Sequence, residues 1–428
     1  MRLRWPLTFQ DWEAAEDKDA FLLAAAAAYK LTPAFRTALD AARYFRGENT
    51  AVARKTVLRA VKVETRDEHG RRRSRPEARE VVGNRVASGF LSRFVTQQTQ
   101  FLLGSGVQLP DPALKRRLGG DFDRVLSHIG ERALLHGVCY CYWNGRRAEP
   151  VEAVRDERSG CFALPDACTG EICAAVQFWQ IAEDRPLCLR LFQRDRVTLL
   201  EARDGRLRPL MEAPNPCPGF PLVPFWANTE HVSEFTPAIR SKIDAYDRIL
   251  SDLADNLDRA NDVYWVLNNF GGTIDDVAEL MEQISRVKAV TALSDGSGAA
   301  ASAEPRTISV PYEARLAALG LLERALYRDW MALDMQEVTG GNLTNVAIHT
   351  AAANLNLKAD RFEWEAFRFM RALLLLLGAD VQDIRFPRQT IANESEIVKD
   401  IAVMRPDIDR ETAVRLNPYL RKTAPSGC

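Results

Sequence analysis

Residues 234–262 contain no glycine, and their only proline, Pro237, falls in the first turn of the helix they predict. Such a helix is well beyond the common length of about 10–14 residues, so the fold has to be organised around it. On a wheel of 100° per residue, Ile243, Tyr246, Leu250, Leu253, Leu257 and Tyr264 form one stripe. That stripe needs a neighbour to bury it. Asp244, Asp247, Ser251, Asp255, Asp258 and Asp262 form a second stripe about a third of a turn away. Carboxylates stacked at these spacings repel by about 0.2–0.5 kcal/mol per pair, although Arg240, Arg248 and Arg259 lie near enough to relieve some of it. An ordinary solvated face is one explanation. A face that must not adhere to phosphate is the other. Metal ligation is the weakest, because no histidine occupies a matching position and the chain has 5 in all.

The chain around this helix alternates between helical and extended patterns. After it come a strand over 263–267, the pair Gly271 and Gly272, a short helix over 274–288 and a strand over 289–293. A small, flexible stretch over 294–303 and a third strand over 307–310 follow. A second long helix starts at Pro311, a residue suited to a first turn, and runs to about residue 335. A loop over 336–344 holds Gly340 and Gly341, and a third long helix over 345–377 stops at Gly378. Upstream, residues 11–46 read as helices broken near Thr32 and Pro33, with further helices over 82–103 and 121–135. Strands follow over 138–143, 174–181, 187–192 and 196–201. Residues 214–224 are proline-rich and read as a rigid connector at a module boundary. The fold class is therefore α+β, mainly helical. Residues 61–80 are very polar and contain Arg71, Arg72, Arg73 and Arg75. They read as a solvated loop, or as a basic contact for nucleic acid or a partner.

A formal net charge of -1 argues against a chain that grips duplex DNA over its whole surface. The apolar runs over 20–29 and 373–377 are too short for a membrane span, and a soluble intracellular chain with no membrane partner is expected. The 8 cysteines include no CxxC pair, so reduced thiols are expected and no metal. Nor does the chain contain GxxxxGK[ST], HExxH, GxSxG or GxGxxG after a strand. His128, His136, His231 and His349 have no partner motif. These absences point to a structural or binding role, without catalysis or cofactor. Two other classes stay open: a DNA-binding helical adaptor using the Arg71–Arg75 region, and a metal-dependent hydrolase built on the cysteines or the aspartates.

Four stretches resemble the portal proteins of long-tailed bacteriophages. Asn84, Arg85 and Val86, leading to Phe101, Leu102, Leu103 and Gly104, resemble the family's early helix. His136, Gly137, Val138 and Tyr140 resemble its helix–glycine–aromatic strand step, and Phe220 through Asn228 its proline-containing entry to the stem. Ile243, Asp244, Ala245, Tyr246 and Asp247, with Ser251, Asp255 and Asn256, resemble its stem signature most specifically. The resemblance covers residues 80–400 and departs where Asn342 to Ile348 replaces the family's usual sequence after the tunnel loop.

The resemblance implies a portal-type fold. Residues 1–233 would form a wing, 234–262 a first stem helix, 263–310 a small α/β clip and 311–335 a second stem helix. Residues 336–344 would form a tunnel loop, 345–408 a long wing helix and return strand, and 409–428 a short crown remnant. It implies a ring of commonly twelve copies at one capsid vertex of the virion, assembled in the host cytoplasm, through which viral DNA is packaged and ejected. Terminase large subunit, a head-completion or tail adaptor protein, and the major capsid and scaffolding proteins would be partners, with double-stranded DNA passing through the channel. Gly340, Gly341, Asn342, Leu343 and Thr344 would line the tunnel. Asp244, Asp247, Asp255, Asp258 and Asp262 would be candidates for a channel-facing acidic stripe, and Arg71, Arg72, Arg73 and Arg75 for a basic contact loop.

Overall fold

The computed structural model describes residues 3–66, 72–260, 264–268, 302–306, 312–334, 345–389, 394–404 and 409–417. In chain order its helices are α1 (Phe9–Ala14), α2 (Lys18–Lys30), α3 (Pro33–Phe45), α4 (Thr50–Ala53), α5 (Phe90–Leu103), α6 (Pro112–Leu118), α7 (Phe122–His136), α8 (Pro237–Ala260), α9 (Tyr312–Trp330), α10 (Asn345–Ala351), α11 (Ala353–Leu376), α12 (Glu394–Met404) and α13 (Arg410–Leu416). Its strands are β1 (Thr56–Arg66), β2 (Arg72–Val82), β3 (Val138–Trp143), β4 (Ala148–Glu152), β5 (Val154–Asp156), β6 (Ser159–Pro165), β7 (Ile172–Trp179), β8 (Cys188–Phe192), β9 (Arg196–Arg203), β10 (Arg206–Pro214), β11 (Leu222–Trp226), β12 (Tyr264–Asn268) and β13 (Ser302–Arg306). The α+β class holds. The chain forms two compact units, one of Met1–Gly47, Gly89–Arg240 and Ala325–Cys428, the other of Glu48–Ser88 and Ser241–Arg324.

The first unit is built on a six-stranded antiparallel sheet in the order β10-β9-β8-β7-β6-β5. Side chains alternate across it. Phe162, Val176, Phe178 and Leu189 go to one face, where Phe21, Leu22, Ala25, Tyr29 and Phe35 of α2 and α3 cover them. The alanine run of α2 is thus a close-approach surface. The Thr32 side chain accepts the Phe35 N–H and Pro33 starts α3, which is the break read between the two helices. Cys161, Ala175, Phe192 and Val197 go to the opposite face and pack with Tyr140, Val151 and Leu222. These last belong to a three-stranded sheet, β11-β3-β4. Prolines 150, 209 and 224 all fall on edge strands, where a missing N–H costs no ladder bond. The connector read over 214–224 therefore ends inside a strand.

Helices α7 and α11 pack on these sheets, and α5 packs on α7 and α11. Phe225 of β11 stacks on Phe362 and Phe369 of α11, with centroids 5.3 and 4.8 Å apart. Gly130 lets α7 into the same contact: a Cβ there would meet Leu103 at 2.5 Å and Phe362 at 3.4 Å. Gly137 turns the chain from α7 into β3 at φ 87°, with backbone of residues 231–233 about 3 Å from where a Cβ would lie. The end of α9 docks on α5. Trp330 stacks on Phe94, Arg93 donates to the Tyr327 hydroxyl at 2.7 Å, and Gln97 exchanges two hydrogen bonds with the Leu333 backbone.

The second unit holds a long hairpin, β1 with β2, and a short pair, β12 with β13. Residues 61–66 and 72–80 are thus hairpin arms, where a loop is expected from the sequence. Val57, Val61, Val63 and Thr65 occupy alternate positions of β1, and the abundant charge of both arms masks that period. The strand read over 263–267 is β12 within one residue. Helix α5 starts at Phe90, not near 82, for a reason given below. The short helix over 274–288 and the strands over 289–293 and 307–310 lie outside the described residues, as do Gly271 and Gly272.

Candidate functional site

In the second unit α8 meets residues 83–88 through a three-rung polar ladder. Asp247, Ser251 and Asp255 lie four residues apart on α8, an advance of about 6 Å per step. Asn84, Val86 and Ser88 lie two apart, which in extended chain is about 6.6 Å. The near-equal spacings let the two segments meet in antiparallel order. Asp255 Oδ1 accepts the Asn84 backbone N–H at 2.8 Å and its side-chain amide at 3.0 Å. Ser251 Oγ accepts the Val86 N–H at 3.0 Å. Asp247 Oδ1 accepts the Ser88 N–H at 2.9 Å, and its Oδ2 accepts from the Asn49 amide, which also donates to the Ser88 carbonyl at 3.2 Å. Burial of residues 84–89 alternates accordingly: Asn84, Val86 and Ser88 are half-buried, Arg85, Ala87 and Gly89 exposed.

Charge completes the ladder. Lys55 Nζ lies 2.6 Å from Asp255 and 2.8 Å from Asp252. Asn84 sends its second amide hydrogen to Asp258 at 2.8 Å. Gly83 is needed at the corner, where a Cβ would sit 3.0 Å from Val57 and 3.1 Å from Asp255. Burial would raise the Asp255 carboxyl, but the Asn84 N–H and Lys55 outweigh it and hold the group below the usual carboxylate range. At Asp247 burial prevails over the Asn49 and Ser88 hydrogen bonds, and with nearby Asp244 pushes the carboxyl up. These backbone N–H groups are committed to side chains of α8, so the expected helix cannot begin at residue 82; it waits until Phe90.

The aspartates expected to form one acidic stripe do not share one environment. Asp247 is wholly buried, Ser251 likewise, and Asp255 is 4% exposed. They point into the unit because each satisfies a backbone donor. Asp244 is half-buried and Asp258 exposed. Asp262, Arg71 and Gly340 through Thr344 lie outside the described residues, and Arg72, Arg73 and Arg75 belong to β2. On the apolar stripe Ile243 and Leu253 are buried, whereas Leu257 is half exposed. Sequence alone does not reveal Lys55, Asn49, Asn84 or Ser88 as partners of α8. The ladder binds chain to chain; its lone pairs are spent on N–H groups and an ammonium, leaving no oxygen positioned as a base. Among the described residues no group of three or more His, Cys, Asp or Glu side chains could hold a metal ion, and no helix is long and apolar enough to cross a membrane.

The long helix α8 is thus clamped to a distant segment of its own chain. Residues 35–420 match the family model described as phage portal protein, SPP1 Gp6-like, and the chain belongs to that family. It is similar to the portal protein of Bacillus phage SPP1, at 23% identity over 382 residues, which is 79% of this chain and 74% of that one. It is also similar to the portal protein of Clostridium phage phiCD119, at 28% identity over 184 residues. That match covers 41% of this chain and 40% of the relative, so the chain spans less than half of that protein.

Proposed function

We propose that the chain is the repeating subunit of a ring, built as a dodecamer at one capsid vertex, through which double-stranded viral DNA is packaged and later ejected. The observation that carries this is the family match over residues 35–420, which takes in α8, α9 and the segment between them. In this reading α8 and α9 are the stem, residues 263–310 the clip that meets terminase large subunit and then the head-completion or tail adaptor, and Gly340 through Thr344 part of the tunnel loop. Major capsid and scaffolding proteins would surround the ring. The chain itself performs no chemistry; a chain with no P-loop leaves ATP hydrolysis to its packaging partner. Heterologous contacts that close by rotation produce such a ring. Negative-stain microscopy with mass photometry of the purified chain tests it. Closed rings near twelve times the 48.0 kDa chain mass are expected. A strictly monomeric protein, even with capsid partners present, would overturn the reading.

A further inference from the structure

In the first unit, residues of β4 to β8 line a cavity of about 230 Å³. Its wall carries Glu152, Arg155, Ser159, Gln177, Trp179 and Arg190. Gln177 and Arg190 are a directly opposed cross-strand pair, and Gln177 also faces Cys161. Trp179 and Ser159, each two residues along, share that sheet face by strand alternation. The face is apolar core at Cys161, Ala175 and Phe192, then turns polar within a few residues without polar partners to match.

Four of these groups are incompletely satisfied. Ser159 is 7% exposed, and its hydroxyl makes no hydrogen bond. The buried Gln177 Oε1 has no donor. Arg155 and Arg190 have no carboxylate partner among the described residues; Arg190 only leans on the Tyr142 ring, 5.9 Å away. Glu152, by contrast, has partners that do not line the cavity, His128 at 3.5 Å and Arg132 at 3.7 Å. Buried hydroxyl and amide oxygens without partners are rare. Two unpaired guanidinium groups beside them attract an anion and are shaped to fork onto its oxygens.

We propose that this cleft binds a proton-bearing oxyanion, a phosphate or phosphomonoester, held by Arg155, Arg190 and the Ser159 hydroxyl while its own P–OH donates to Gln177 Oε1. The orphaned acceptor and the carboxylate of Glu152 make the distinction: a fully deprotonated oxyanion such as sulfate meets oxygen with oxygen there. The inference is independent of ring formation, since every group named lies in one unit of one chain.

Titration of the full chain with inorganic phosphate, sulfate and a nucleoside monophosphate, followed by calorimetry and ³¹P line broadening, tests it. Phosphate should bind about tenfold or more tighter than sulfate, the factor one mismatched hydrogen bond gives. Tighter binding of the nucleoside monophosphate would identify an ester as the ligand; preference for inorganic phosphate would identify the free ion. Arg155→Gln, at an exposed position, should weaken phosphate about tenfold with unfolding unchanged. Equal affinity for sulfate and phosphate, or no binding of either, overturns the proposal without any variant, as does unaltered binding by Arg155→Gln.

Discussion

Asp247 and Asp255 occupy equivalent rungs of one ladder, yet their environments push them in opposite directions. Asp255 has Lys55 at 2.6 Å and the Asn84 N–H, and is held below its ordinary range. Its contribution is therefore present above the unfolded carboxyl value, about 3.9, and is lost as pH falls through the lower folded value. Asp247 is raised, so its protonated form suits the fold better and its sign is reversed. Asp255→Asn should lower stability by about 1–3 kcal/mol at pH 7, because it leaves Lys55 half-paired and weakens a charge-assisted bond. At a pH low enough for the wild-type carboxyl itself to take up a proton, the deficit should shrink. Urea unfolding at the two pH values checks this, and an equal deficit at both would count against the pairing. The same geometry changes what a charge reversal means. Lysine at Asp255 would put two ammonium groups together in a buried place, so such a variant reports on folding before it reports on DNA. None of this was legible from residues 244–262 alone. The helical spacing was, but Ser88 and Lys55 are 159 and 200 residues from the carboxylates they meet.

At the level of elements, local pattern was readable wherever periodicity was strong. Helix α8, the break at Thr32 and Pro33, the turn at Gly137 and strands β3, β7, β8 and β9 all follow from spacing and caps. The β1–β2 hairpin did not, because Arg72, Arg73, Arg75, Glu77, Arg79 and Glu80 hide the alternation in its second arm. Residues 83–88 fail for another reason. Their composition permits helix, and what forbids it is distant: side chains of α8 take the N–H groups a helix would use. This has a measurable signature. Amide exchange should be slow at Asn84, Val86 and Ser88 and fast at Arg85 and Ala87, a period of two in a segment outside any sheet. Ser251→Ala should release Val86 first. Uniform protection from 84 to 88, or none, would show that the ladder does not persist in solution.

The chain as a whole enters each compact unit more than once, with changes near residues 47, 88, 240 and 324. All four boundaries lie close to a helix terminus or inside a long helix, which explains why no linker composition marked them. It also explains the limit of the linear division into wing, stem and clip: residues 48–88 group with the long helix, although they precede it by more than a hundred residues. In the proposed ring subunit this would matter, because the ladder would tie the proposed stem helix α8 to a segment translated long before it, within one chain. If the stem is preformed in this way, a change in the tunnel loop should leave assembly alone. Deleting Gly340 through Thr344 is expected to give rings of unchanged mass and outline by microscopy. DNA packaging or retention in reconstituted particles should fall, since only the passing duplex would sense that loop. Rings that fail to form would make the loop part of the assembly surface instead, and rings that package normally would remove it from the channel.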